Sequence, residues 1–262
     1  MKALPMLAVA ALLASSMSCL GSTGGDLVEL DAYAAGPESV VAGEPYAFVN
    51  QRGYSVSLRK ATLHIGAVYL NASVPTSLAQ DTSCYLAGRY IAEVPGSVDV
   101  DTLDPTPQPF SVSGFATTER ATTAEIWLTG GAIDAETDPT VIAAVAGVAE
   151  KDGQAFPFEG SITISSNRRV VPTDEALPGA KPICKQRVVT PISVDITPEE
   201  GGTLLVRVDP ADWFQNVDFE LLEQADSDPP LYRFRDDSED QPSRNLYDGI
   251  RANAGVYSIE FQ

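Results

Sequence analysis

Turn-forming pairs punctuate most of this chain at intervals of about 8–15 residues. Gly36-Pro37, Pro95-Gly96, Asp104-Pro105, Asp138-Pro139, Asp152-Gly153, Pro178-Gly179 and Gly201-Gly202 are among them. Between them lie short runs rich in Val, Ile, Thr, Tyr and Phe. Pieces of that length and composition make strands. The expected fold is all-β, an antiparallel β-sandwich of Ig-like or jelly-roll-like type, with one or two short helices near the C-terminus.

Several strands can be phased from their side-chain alternation. In 85–94, Leu86, Tyr90, Ala92 and Val94 share one face, against Arg89 and Glu93. In 123–129, Ala124, Ile126 and Leu128 point inward, which puts Thr123, Glu125, Trp127 and Thr129 on the other face. Lys151-Asp152-Gly153-Gln154 spells a type I′ hairpin between 141–149 and 155–164. Strands 188–196 and 203–208 are expected to pair with each other. In 55–70 the apolar phase flips near Arg59-Lys60, which calls for a bulge or a strand that changes sheets. Val68-Tyr69-Leu70 is apolar on both faces, as in a strand covered from both sides. Asp209-Pro210 reads as an N-cap and first turn of a helix, with Trp213 or Phe214, Val217 and Leu221 on its buried face. A second helix is expected over 242–253, and a closing strand over 256–261.

The N-terminus reads as an export signal. Lys2, an apolar run over 4–14 and small polar residues over 15–18 make a secretory signal peptide, too short for a permanent membrane span. Ser18-Cys19 then resembles a bacterial lipobox, so Cys19 is the expected lipidation site. The stretch Leu20-Gly21-Ser22-Thr23-Gly24-Gly25 has the composition of a flexible tether. The expected organisation is a signal peptide over 1–18, a lipid-anchored linker over 19–26 and a single β-sandwich domain over 27–262. Leu20 rather than Asp follows Cys19, which points to the outer membrane. Cys84 and Cys184 remain, and an even pair in an exported chain reads as one disulfide.

A formal net charge of −19 repels nucleic-acid phosphates and anionic lipid headgroups, so nucleic acid is excluded as a partner. The Gly-x-Ser-x-Gly, His-Glu-x-x-His, Walker and Gly-x-Gly-x-x-Gly patterns are all missing. His64 is the chain's one imidazole and is expected to be a solvated or hydrogen-bonded strand residue. Two acidic clusters, Asp134-x-Glu136-x-Asp138 and Asp236-Asp237-Ser238-Glu239-Asp240, read as solvated loops without the Gly and Glu positions of an EF-hand. Trp127, on the face opposite Ile126, is the candidate binding surface, since a Trp can stack on a sugar or anchor a partner; the alternative is a Trp covered by a loop or a crossing helix. Asn71-Ala72-Ser73 has the spelling of a glycosylation acceptor, which a bacterial lipoprotein does not use.

Segments 61–70, 125–131, 180–195 and 208–222 together resemble a group of uncharacterised bacterial envelope lipoproteins. The stretches "VDPADWFQNVDF" and "GVYSIEF" in an acidic β chain resemble methanobactin-partner-like periplasmic copper proteins. That resemblance implies a His-rich copper site beside a modified Trp. With His64 as the single imidazole, no ligand set carries over. The expected function is therefore non-enzymatic: a lipid-anchored β-sandwich of the bacterial envelope with a binding or structural role. It needs no cofactor, and it meets the membrane through its anchor and another envelope protein or a glycan through its surface. The alternatives are a metal-binding envelope protein, resting on the acidic clusters and His64, and an envelope enzyme without a recognisable motif.

Overall fold

The computed structural model describes residues 25–74, 88–129, 138–164, 186–236 and 240–262. Its strands are, in chain order, β1 (Leu27–Ala35), β2 (Tyr46–Val49), β3 (Ser55–Ile65), β4 (Ala67–Asn71), β5 (Tyr90–Val94), β6 (Val98–Asp101), β7 (Gln108–Pro109) and β8 (Gly114–Thr117). They continue as β9 (Ala121–Trp127), β10 (Val141–Lys151), β11 (Gln154–Thr163), β12 (Val188–Ile196), β13 (Thr203–Val208), β14 (Glu223–Ala225), β15 (Leu231–Phe234) and β16 (Tyr257–Phe261). One helix, α1 (Gln241–Ile250), lies near the C-terminus, with the 3-10 turns Pro210–Phe214 and Phe219–Leu221 before it. The protein is all-β, as its turn spacing predicts.

The strands form two sheets. A nine-stranded sheet runs β12-β9-β4-β5-β8-β1-β13-β16, with β7 also on β1. Its end strands β12 and β16 approach each other, so it is nearly closed into a barrel. A seven-stranded sheet runs β14-β15-β11-β10-β3-β2, with β6 on β3. Most pairings are antiparallel, but β1–β13 and β11–β15 are parallel. These two connect strands far apart in sequence, so no local hairpin pattern announces them.

The phase flip in 55–70 has two causes. Opposite β10, Ala146 pairs with Lys60 and Gly147 with Leu58, so Arg59 is an extra residue in a bulge. After Gly66, whose N–H donates to the Trp127 carbonyl at 2.7 Å, the chain leaves the seven-stranded sheet and enters the nine-stranded one as β4. The hairpin between β10 and β11 is as its sequence requires: Asp152 and Gly153 have φ of 51° and 81°.

Three expectations are corrected. Strands 188–196 and 203–208 do not pair: β12 pairs β9, while β13 lies between β1 and β16. The turn between them is stitched to β1 instead, through Gly201 N–H to the Glu29 carbonyl and Asp31 N–H to the Gly202 carbonyl. Tyr90 does not share a face with Ala92 and Val94. The β4–β5 register steps from Leu70↔Ala92 to Asn71↔Tyr90, so Ile91 takes the buried position and Tyr90 turns outward. The helix expected from Asp209 onward is two 3-10 turns. Asp209 caps the first, accepting from Ala211 N–H at 2.9 Å. The buried Asn50 then takes the Phe214 and Val217 carbonyls with its amide N–H groups, both at 3.0 Å. Those carbonyls would otherwise continue an α-helix.

One hydrophobic core draws on strands of both sheets. Tyr54, Phe156, Phe158, Phe214, Phe219 and Phe234 form one aromatic cluster there, with ring centroids 5.0–6.2 Å apart. Each fully buried ring of this size contributes roughly 1.5–3 kcal/mol. Helix α1 closes one end, burying Leu246, Tyr247 and Ile250 against the first 3-10 turn.

Candidate functional site

Strands β4 and β9 pair so that Ala67 faces Trp127, Tyr69 faces Glu125 and Asn71 faces Thr123. Strand alternation sends Val68, Leu70, Ala124 and Ile126 into the core. The same alternation sends Tyr69, Asn71, Glu125 and Trp127 to the opposite face. On that face Glu125 and Asn71 are both 0% exposed. Trp127 and Tyr69 are half-buried.

Glu125 organises the cluster. One carboxylate oxygen, Oε1, accepts from Asn71 Nδ2, and the other, Oε2, accepts from Trp127 Nε1, each at 3.0 Å. Burial pushes the Glu125 carboxyl above its ordinary range, and the two N–H donors pull back only part of that rise. Asn71 is held in this orientation because a flipped amide would aim its oxygen at the carboxylate. Its own Oδ1 is left buried without a hydrogen-bond partner among the described residues.

The Trp127 ring is covered from above by a charge. The Arg187 guanidinium carbon sits 4.5 Å from the ring centroid, and Arg187 is 1% exposed. Burial disfavours its charge, which Asp138 and Tyr69 oppose. Burial also pushes Asp138 up, but its hydrogen bonds from Thr140, including the N–H at 2.9 Å, outweigh that and hold it below the ordinary range. Tyr69 packs on Trp127 with centroids 5.1 Å apart and on Tyr90 at 5.4 Å. Burial raises the Tyr69 hydroxyl, helped by the charges of Glu93 and Glu125.

The aromatic strip opens to solvent away from Trp127. Tyr90 is 40% exposed and Phe115 46%. The arrangement thus holds a dry, preorganised polar cluster at one end and presents accessible rings at the other.

Among solved structures the chain has a distant likeness to MbnP from Methylosinus trichosporium, with 10% sequence identity and a TM-score of 0.41. The alignment covers 90% of this chain and 98% of that one. No protein-family model matches the sequence. No curated protein matches it either.

The other sequence candidates are dispersed. His64 is partly exposed on β3, its Nδ1 2.6 Å from Asp99 Oδ1 on the neighbouring β6. Asp236 accepts from Thr163 N–H at 3.0 Å and from its hydroxyl at 2.5 Å, and Asp240 caps α1 through Ser243. Both are structural uses. Asp134, Glu136, Asp237 and Glu239 lie outside the described residues, as do Cys19, Cys84 and Cys184. Among the described residues, no three His, Cys, Asp or Glu side chains gather to hold a metal ion. Nor is any described helix long and apolar enough to cross a membrane.

Sequence reasoning singled out Trp127 but missed Glu125, Asn71 and Arg187. A Glu two residues from a Trp carries no sign in sequence that its carboxylate is buried. The one local signal was Val68-Tyr69-Leu70 on the partner strand, apolar on both sides and so already indicating a covered outer face.

Proposed function

We propose that this chain is an exported, non-enzymatic binding protein of the bacterial envelope, tethered by lipid on Cys19 and presenting the outer face of the nine-stranded sheet around Trp127 to an envelope partner. The observation that carries the reading is the fully buried Glu125 on a face that is not the main core. Burying a carboxylate is costly, and apolar residues in place of such a network are often at least as stabilising. Stability alone therefore gives no reason to keep it. A site that must hold two aromatic rings in fixed positions does give one.

A photo-crosslinking amino acid at Phe115 tests the surface in cells. Adduct formation at Phe115, reduced by Trp127→Ala and missing for the same probe at Ser57 on the other sheet, is the expected result. Equal crosslinking at both positions would sink the assignment of this face.

A further inference from the structure

The backbone register places five outward side chains in one line across five strands. Glu29 on β1 faces Phe115 on β8, which faces Glu93 on β5, which faces Tyr69 on β4, which faces Glu125 on β9. Acid and aromatic alternate along the whole row. At its outer end Glu29, Phe115 and Glu93 are exposed. Glu200 adds a further carboxylate there, accepting from the Glu29 N–H at 3.2 Å.

An aromatic face between two carboxylates is a receptor for a cation. The ring offers its negative quadrupole and the acids offer charge-assisted hydrogen bonds. The protein already makes the first of these contacts internally, with the Arg187 guanidinium over Trp127 beside the inner end of the row. The net charge of −19 attracts a basic partner from a distance.

The spacing selects the partner's conformation. Neighbouring strands lie about 4.8 Å apart, so successive aromatics, like successive acids, repeat every 9.6 Å or about that. A polyproline II segment advances about 3.1 Å per residue with three residues per turn, which returns a side chain to the same face every ~9.3 Å. In a β-strand, same-face residues recur at about 6.6–6.8 Å and fall out of step with the row.

Resting on the reading of this face as the binding surface, we infer that the row Glu29–Phe115–Glu93–Tyr69 docks a basic segment in polyproline II conformation, with Arg or Lys at every third position. The partner enters as an extended chain lying across the strands, its cations set over Phe115 and Tyr69 and between the carboxylates.

The test uses the full chain in detergent and titrates it with a twelve-residue peptide carrying Arg at every third position and Pro elsewhere. A peptide of identical composition with its arginines contiguous is the control for attraction to negative charge alone. The spaced peptide should bind at least about fivefold more tightly than the contiguous one, and Glu93→Lys and Phe115→Ala should each erase that preference. Both substitutions fall at exposed positions, and circular dichroism checks that the fold is kept. Equal binding of the two peptides, or a preference that survives both substitutions, overturns the inference. If neither peptide binds while the Phe115 crosslink in cells persists, the partner class is wrong and the binding face stands. Loss of the crosslink as well removes both.

Discussion

Trp127 donates its indole N–H to the carboxylate of Glu125, two residues back on the same face of the same strand, at 3.0 Å. The donor and acceptor are locked by strand geometry, so the charge cannot move toward water to relieve its burial. Stability should therefore depend on pH with a definite sign. The folded protein holds the Glu125 proton more tightly than the unfolded chain does, because burial raises its pKa. From the ordinary Glu range near ~4.3 up through the folded value, the native state carries the extra proton, and stability falls as pH rises. Below that window the contribution is fully present, and above it the contribution is gone. Urea midpoints of the wild type minus those of Glu125→Gln should fall across the window and be flat on either side. Asp209, also raised by burial, has the same sign and cancels in the difference. A difference that grows with pH would refute the assignment.

Asn50 is a four-way clamp. Its amide donates to the Phe214 and Val217 carbonyls, and its oxygen accepts from the Arg52 and Tyr54 N–H groups, all at 3.0 Å. Asn50→Ala removes all four bonds, and of the groups left the Phe214 carbonyl keeps another partner, the Val217 N–H. At about 1 kcal/mol per bond, the loss should be roughly 3–5 kcal/mol. Chemical denaturation reads it, and a change under about 1 kcal/mol would show that the turn does not need its clamp.

A similar competition is set up at Gly249 in α1. A Cβ there would stand 2.3 Å from the Trp213 carbonyl oxygen, which is backbone and cannot rotate away. Helix propensity favours Ala over Gly by about 1 kcal/mol, whereas overpacking costs about 1–3 kcal/mol. Gly249→Ala should come out destabilised, with α1 displaced from the 3-10 turn. A stabilised variant in a thermal melt would mean the contact is looser than the structure shows.

The three cysteines should separate by function. Cys19→Ser is expected to release the protein from membranes without unfolding it. Cys84→Ser or Cys184→Ser should keep the anchor and lower the unfolding temperature, since a disulfide closing a loop of about 100 residues is worth about 4.7 kcal/mol in the chain-entropy model. Intact mass spectrometry decides both: acyl mass on Cys19 and no reactive thiol elsewhere. Labelling of Cys84 and Cys184 in the native protein would defeat the pairing.

The features legible in the sequence were those written in consecutive residues. The Asp152-Gly153 turn, the bulge at Arg59 and the inward set Ala124, Ile126 and Leu128 all follow from local chemistry and period. What sequence reasoning missed depends on distant partners. Asn50 converts the expected helix into 3-10 turns from 164 residues away. The parallel neighbours β1 and β13 lie far apart in sequence, and the turn before β13 bonds to β1 as well. Glu125 is buried with its oxygens bonded to Asn71 and Trp127, and a one-dimensional pattern does not show a hydrogen bond that spans 54 residues.

Strand β1 is the first element of the described residues, and it sits inside the nine-stranded sheet, between β8 and β13. Its ladder bonds run across the strand, and a tug arriving through the N-terminal chain runs along it. Such a load meets the β8 ladder over Leu27–Leu30 first and the β13 ladder over Asp31–Ala35 behind it, each in shear, instead of peeling bonds off singly as it would at a free margin. A pull on this end is therefore resisted in series, by one ladder on each side of the strand.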